Sequence, residues 1–309
     1  MSSNENKTSV QTTGHAWDGD LQEYNNPVPR WWIWTFYLTV VFSVVYWLLF
    51  PAWPIGDSYT TGILNNITFH NNKGEEVTTH WNTRSRFIAD KQHGDAAVSQ
   101  QKGLALIGQT SYEKILEDPE KMAFVNSMSK VLFADNCAAC HGSGAAGKIG
   151  SYPNLIDDDW LWGGKIEEIE KTVSQGRHGF MPAFAPTFDH EQLESVAQYV
   201  LSLSGGNEGG DAEKIAAGKE IFHGSAGGCY YCHGSQATGL KSQGSANLTD
   251  HIWTIADIPG AQSYQQKLDR IKSVISEGVT RTMPAWNTRL SPEQIKLLTV
   301  YVHQHGGGQ

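Results

Sequence analysis

The sequence predicts a mainly α protein, with one transmembrane helix followed by two copies of a small all-α domain. Three observations carry this. The run from Trp31 to Phe50 holds no charged residue, a downstream segment occurs twice, and both copies space their apolar residues as helices do. The bulk composition agrees. A length of 309 residues suggests about two domains, and 39% hydrophobic with 18% charged residues describes an ordinary globular chain. The net charge of −9 argues against a general nucleic-acid binder, so no nucleic-acid partner is expected.

At about 1.5 Å rise per residue, the Trp31–Phe50 run reaches roughly 30 Å, the thickness of a bilayer's hydrocarbon core. Trp31, Trp32 and Trp34 stand at one end and Tyr46, Trp47 and Trp53 at the other, forming aromatic belts at the two lipid interfaces. Pro27 and Pro29 precede the run, and Pro51 and Pro54 follow it. A buried core helix is the bland alternative. A cleavable signal peptide fits poorly, because the run is long, starts late, follows an acidic segment and precedes no small-residue cleavage site. Arg30 lies before the run and no Lys or Arg follows until Lys73, which favours a cytoplasmic N-terminus. The expected plan is a cytoplasmic segment 1–30, a transmembrane anchor 31–54, a polar spacer 55–117, and domains 118–204 and 211–309. The stretch Gly205 to Gly210 is the linker between the domains.

The duplication is found by spacing. Cys137-Ala-Ala-Cys140-His141 is matched 92 positions later by Cys229-Tyr-Tyr-Cys232-His233. Asn154-Leu155 matches Asn247-Leu248 and Trp160 matches Trp253, both at an offset of 93. After an insertion around 255–263 the offset becomes 102, pairing Gly176 with Gly278, Met181-Pro182 with Met283-Pro284 and Tyr199-Val200 with Tyr301-Val302. Ile166, Ile169 and Val173 recur as Leu268, Ile271 and Ile275, a helical stripe that ends at a glycine. The last helix of each copy opens on a capping box, Asp189 with Gln192 and Ser291 with Gln294, and Pro292 takes the first helical position of the second. Asp118-Pro119 opens a helix towards Ala134, and no alternating strand pattern of useful length appears.

All four cysteines fall inside C-x-x-C-H. That motif is a haem c attachment signature, in which two thioether bonds hold the porphyrin and the adjacent histidine reaches the iron. Covalent haem suits a small module, since so short a chain buries little surface alone. Two haem c groups are expected, on Cys137 and Cys140 and on Cys229 and Cys232, in domains of the class I cytochrome c kind. A zinc site could use two CxxC pairs, but the histidine after each pair would have no role. A thioredoxin-like motif expects a βαβ setting that this sequence lacks.

The sixth iron ligand follows by elimination. Of five methionines, Met122 and Met128 precede the first motif, whereas Met181 lies 40 residues beyond His141 and Met283 lies 50 beyond His233. Each of these two precedes a proline and follows a glycine-ended helix. The competing reading of a lone methionine is core filling. His178 is the rival in the first copy, but the second has Thr280 there. His141 and Met181, with His233 and Met283, are therefore the candidate axial ligands, and no catalytic residue is expected. His70, His80, His223 and His251 read as surface or structural. Haem c attachment outside the bacterial cytoplasm places the domains in the periplasm, anchored at the inner membrane. Charge is uneven between the copies: residues 130–207 carry net −5, and residues 208–309 are neutral. Asp157, Asp158 and Asp159 could steer a basic donor, the alternative being a solvated face.

One anchor, a spacer and two cytochrome c domains in this order resemble the CcoP/FixP family, the dihaem subunit III of cbb3-type cytochrome c oxidases. The resemblance is carried by Thr13 to Gly19, Glu23 to Pro27, Pro29 to Trp32, Tyr152 to Leu155, Trp160 to Gly164, and Gly176-Arg177. It implies an electron relay from a soluble cytochrome c, or from the quinol–cytochrome c reductase, towards a monohaem subunit II and a catalytic subunit I that reduces oxygen and pumps protons. It also implies His141 and His233 as proximal ligands, and Met181 and Met283 as distal ones. The second copy has Ala246 where Pro153 stands, yet a backbone carbonyl there can still orient the histidine. The other classes kept open are a membrane-tethered carrier for a different oxidase or dehydrogenase, and a dihaem peroxidase.

Overall fold

The computed structural model describes residues 11–64, 66–206 and 208–306, and the chain divides into two compact units, 1–99 and 100–309. In the first unit, β1 (Thr12–Trp17) and β2 (Leu21–Tyr24) form an antiparallel hairpin turned at Asp18 and Gly19, both with positive φ. Helix α1 (Arg30–Leu49) follows, and none of its residues is buried. It is long and apolar enough to cross a membrane. Ile63 and Leu64 donate their backbone N–H to the carbonyls of Leu48 and Leu49, so two of the orphan carbonyls at its end are satisfied.

Beyond α1 come the two-residue strands β3 (Pro54–Ile55) and β4 (Ser58–Tyr59), then the hairpin β5 (Ile67–His70) and β6 (Glu76–Thr79). Helix α2 (Thr83–His93) starts where the Asn82 side chain accepts the Ser85 N–H at 2.8 Å. The Gln92 amide clasps both backbone groups of His70, tying α2 to β5. The spacer expected over this stretch is therefore structured. Four-residue strands leave too short an alternation to read in sequence.

Helix α3 (Asp95–Gln109) carries the chain into the second unit, where α4 (Tyr112–Leu116) and α5 (Pro119–Asn136) follow. Ile107 and Ile115 are fully buried there, so the helical unit begins ahead of the Asp118 cap. The rest are α6 (Ala138–His141), α7 (Ile166–Gln175), β7 (Arg177–Met181), α8 (His190–Leu203), α9 (Ala212–His223), α10 (Tyr230–His233), α11 (Tyr264–Glu277), β8 (Val279–Met283) and α12 (Pro292–His305). Both expected capping boxes are present, and both glycines stop their helices.

The packing departs from two self-contained copies. Helix α8 packs on α9 and α11 of the second copy, and α12 packs on α5 and α7 of the first. One core joins Val196, Val200 and Leu201 to Phe222, Leu268, Ile271 and Ile275. Another joins Phe133, Ile169 and Val173 to Ile295, Leu298 and Val302. A third sets Leu297 and Val300, the other side of α12, against Ile107, Ile115 and Val125.

The crossover is an antiparallel ribbon in which Arg177 faces Met283 and Met181 faces Val279. Flanking bonds repeat with two-fold regularity. Phe184 and Ala185 donate to the carbonyls of Ile275 and Ser276, and the matched Trp286 and Asn287 donate to those of Val173 and Ser174. Each copy thus lends its closing helix to the other.

Candidate functional site

Each Cys-x-x-Cys-His segment is a one-turn helix, and the glycine after the histidine turns the chain with φ of 76° at Gly142 and 77° at Gly234. The loops that follow are alike. Gly147 donates to the His141 carbonyl and Gly239 to that of His233, and Leu155 donates to Ala145 as Leu248 does to Ala237. These loops bring one carbonyl back onto each imidazole. His141 Nδ1 lies 3.1 Å from the Pro153 oxygen, and His233 Nδ1 lies 2.9 Å from that of Ala246. The Pro-to-Ala difference between the copies therefore leaves the contact intact. With Nδ1–H donated to a carbonyl, Nε2 carries the free lone pair, the tautomer an iron ligand needs. Burial pushes both imidazoles below the usual histidine range, which keeps them neutral for metal binding.

Cys137 and Cys229 are half-buried and Cys140 and Cys232 exposed. Burial pushes the Cys137 and Cys229 thiols up to about 11. Among the described residues there is no group of three or more His, Cys, Asp or Glu able to hold a metal ion.

The two methionines lie at opposite ends of the ribbon. Met181 packs in the cluster that holds Cys229 and Tyr230 of the second copy. Trp286, three residues after Met283, packs in the cluster that holds Cys137 and Ala138 of the first. The backbone of Met283 lies against Gly176, at the end of α7. The structure thus brings Met181 to the His233 motif and the Met283 strand to the His141 motif. His178 faces away on the other side of the ribbon, hydrogen-bonded to Thr282 at 3.0 Å.

The surroundings suit a haem. The Trp160 indole Nε1 is buried without a hydrogen-bond partner, and its ring packs in the cluster of Cys137 and Leu155. A haem carboxylate is the acceptor chemistry such a donor lacks. The repeat marks Trp160 and Trp253 as a matched pair without giving either a role; the orphaned N–H is a tertiary fact. Of the aspartate run, Asp158 is exposed. Asp157 and Asp159 are half-buried, and burial with Asp250, Asp157 and Asp158 nearby lifts Asp159 to about 6.

Residues 9–57 match the N-terminal domain of cytochrome oxidase-cbb3, FixP, and residues 128–200 and 213–302 match cytochrome c oxidase, cbb3-type, subunit III. The chain is 41% identical over 306 residues to the cbb3-type cytochrome c oxidase subunit FixP of Azorhizobium caulinodans, covering 96% of this chain and 94% of that one. It is 38% identical over 313 residues to the CcoP subunit of Cereibacter sphaeroides, covering 96% and 95%. Identity to the CcoP subunit of Azospirillum brasilense is 35% over 315 residues, covering 98% and 97%.

Proposed function

We propose that this chain, which belongs to the family of cbb3-type cytochrome c oxidase subunit III, is the membrane-anchored dihaem relay of such an oxidase. It takes electrons from a soluble cytochrome c or from the quinol–cytochrome c reductase. It passes them towards the catalytic subunit I by way of the monohaem subunit II. The reading is carried by the pair of histidine–carbonyl hydrogen bonds, which prepare two equivalent iron-binding nitrogens in a chain related to oxidase subunits along nearly its whole length.

Cys137 and Cys140 hold one haem c, and Cys229 and Cys232 hold the second. A bound haem c supplies reversible one-electron chemistry at its iron. His141 and Met283 would hold the iron of the first site, and His233 and Met181 that of the second; the packing of each methionine strand supports this crossed pairing. Thioether ligation favours the reduced iron. Filled axial positions leave no place for oxygen or peroxide, so these residues serve transfer and not catalysis. Residues 1–30 lie in the cytoplasm, α1 crosses the inner membrane in contact with lipid, and both haem domains face the periplasm.

Purification in mild detergent tests the reading. The chain should leave the membrane bound to a large multispan haem–copper subunit. Isolation as a free monomer without oxidase activity would overturn it, in favour of a tethered carrier serving another enzyme.

A further inference from the structure

The two ends of the ribbon carry matched methionines but differ in the residue that faces each of them. At the Met283 end the facing residue is Arg177; at the Met181 end it is Val279. Strand alternation puts Arg177 on the same face of the ribbon as Met283, and directly opposed side chains stand about 5 Å apart at Cβ.

The guanidinium is held in place. Its Nε donates to the Thr172 hydroxyl at 2.9 Å, one Nη donates to the Glu168 carbonyl at 3.4 Å, and it lies over the Trp162 ring at 5.0 Å. The second copy lacks the residues for such a mooring, with Val274 at the position of Thr172 and Val279 at that of Arg177. Arg270, at the position of Glu168, is neutralised by Asp257 at 2.7 Å. The Glu168 carboxylate acts on Arg177 through its charge but makes no hydrogen bond to it, accepting instead the Lys165 N–H at 3.1 Å as part of the helix cap. Arg281 sits midway along the ribbon, opposite Gly179, and donates to the Gly150 carbonyl in the loop that follows the His141 motif, adding to the positive charge on the first copy's side.

An arginine stays protonated across the accessible pH range, so Arg177 is a fixed positive charge beside one ligand and absent from the other. Reduction removes one positive charge from an iron centre, and a nearby fixed cation favours the form with less positive charge. We propose that Arg177 sets the order of the two potentials. It makes the site of His141 and Met283 the more oxidising, so that an electron entering at the site of His233 and Met181 comes to rest on the first. The step is a single-electron exchange. With haem bound, the His233 site would give up the electron that the His141 site takes up, a reduced haem protein being the source and the next redox centre of the oxidase the sink. This inference rests on the crossed ligand pairing proposed above.

Potentiometric titration of the purified oxidase, followed through the c-type absorption, tests it with Met283→His, Arg177→Gln and Arg177→Lys. Met283→His should move the higher of the two c-type waves that belong to this chain far down, leave any wave of the monohaem subunit in place, and weaken the sulfur-to-iron band of the oxidised protein. Arg177→Gln should lower that same wave, leave the other in place and keep the sulfur band; Arg177→Lys should restore most of the loss. The inference is overturned if Met283→His moves the lower wave, or if Arg177→Gln moves both waves equally or neither. A sulfur band unchanged in Met283→His would overturn it differently, by removing the ligand assignment on which it stands.

Discussion

Gly278 and Met181 are in backbone contact across the ribbon: a Cβ on Gly278 would stand 2.5 Å from the Met181 carbonyl oxygen. Gly176 meets the Met283 carbonyl in the same way at the other end. Each glycine stops a helix, turns the chain and lets the other copy's methionine strand come close. These two contacts are where the copies interlock.

Alanine at Gly278 should therefore be costly. Its φ of 69° and ψ of −176° lie in a region that only glycine occupies readily, and strain there runs to about 1–3 kcal/mol before the steric contact is added. Thermal unfolding of the Gly278→Ala protein should show at least that loss, together with a weakened sulfur-to-iron band. A variant that melts with the parent would refute the close approach.

A chain stopped at residue 206 retains Cys137, Cys140, His141 and Met181 but lacks α12 and Met283. If the copies were self-contained, it would show a complete six-coordinate haem. The exchange predicts a haem at Cys137 and Cys140 without sulfur ligation, open to carbon monoxide, in a poorly folded domain. Absorption spectra before and after adding carbon monoxide distinguish these outcomes.

Leu298 belongs to the second copy by sequence but is 1% exposed within the core around Phe133, Ile169 and Val173. Leu298→Ala should cost about 2–5 kcal/mol, as deletions of fully buried leucines do. Its effect should fall on the site of Cys137 and His141, whose cluster holds Phe133. Hydrogen exchange should show α5 and α7 deprotected more than α9 and α11; the reverse pattern would refute the exchange.

Asp159 gives a pH signature. Burial, reinforced by Asp250, Asp157 and Asp158, lifts it to about 6 from an ordinary 3.8. Between these values the folded state binds the extra proton, so this group lowers stability as pH rises from about 4 to 6 and its cost is complete above that. Asp159→Asn should raise stability at pH 7–8 by about 1 kcal/mol after solvent screening, and change little near pH 4. Melting temperatures that shift equally at both pH values would contradict this.

Much of the site is legible in the amino-acid sequence. The helix starts at Asp118, Asp189 and Ser291 and the stops at Gly176 and Gly278 are local chemistry, set by caps and backbone freedom within one turn. The histidine–carbonyl bond at Ala246 can be anticipated too, because a main-chain acceptor survives a side-chain change. The β5–β6 hairpin cannot be read, since four residues carry too little periodicity. The burial of Ile107 and Ile115 is equally hidden, because their partners Leu297 and Val300 lie far away in sequence.

By itself, the sequence determined the anchor, the duplication, the two attachment motifs and the four axial candidates. These rest on local composition, spacing and covalent chemistry, which do not depend on what the chain folds against. Tertiary structure alone decided which methionine strand meets which histidine motif and which helix closes which core. An apolar stripe states that a face will be buried but is silent about its partner, and α8 and α12 each bury theirs against the other copy. The antiparallel pairing of β7 with β8 made the choice, and with it set Arg177 opposite Met283 and Val279 opposite Met181.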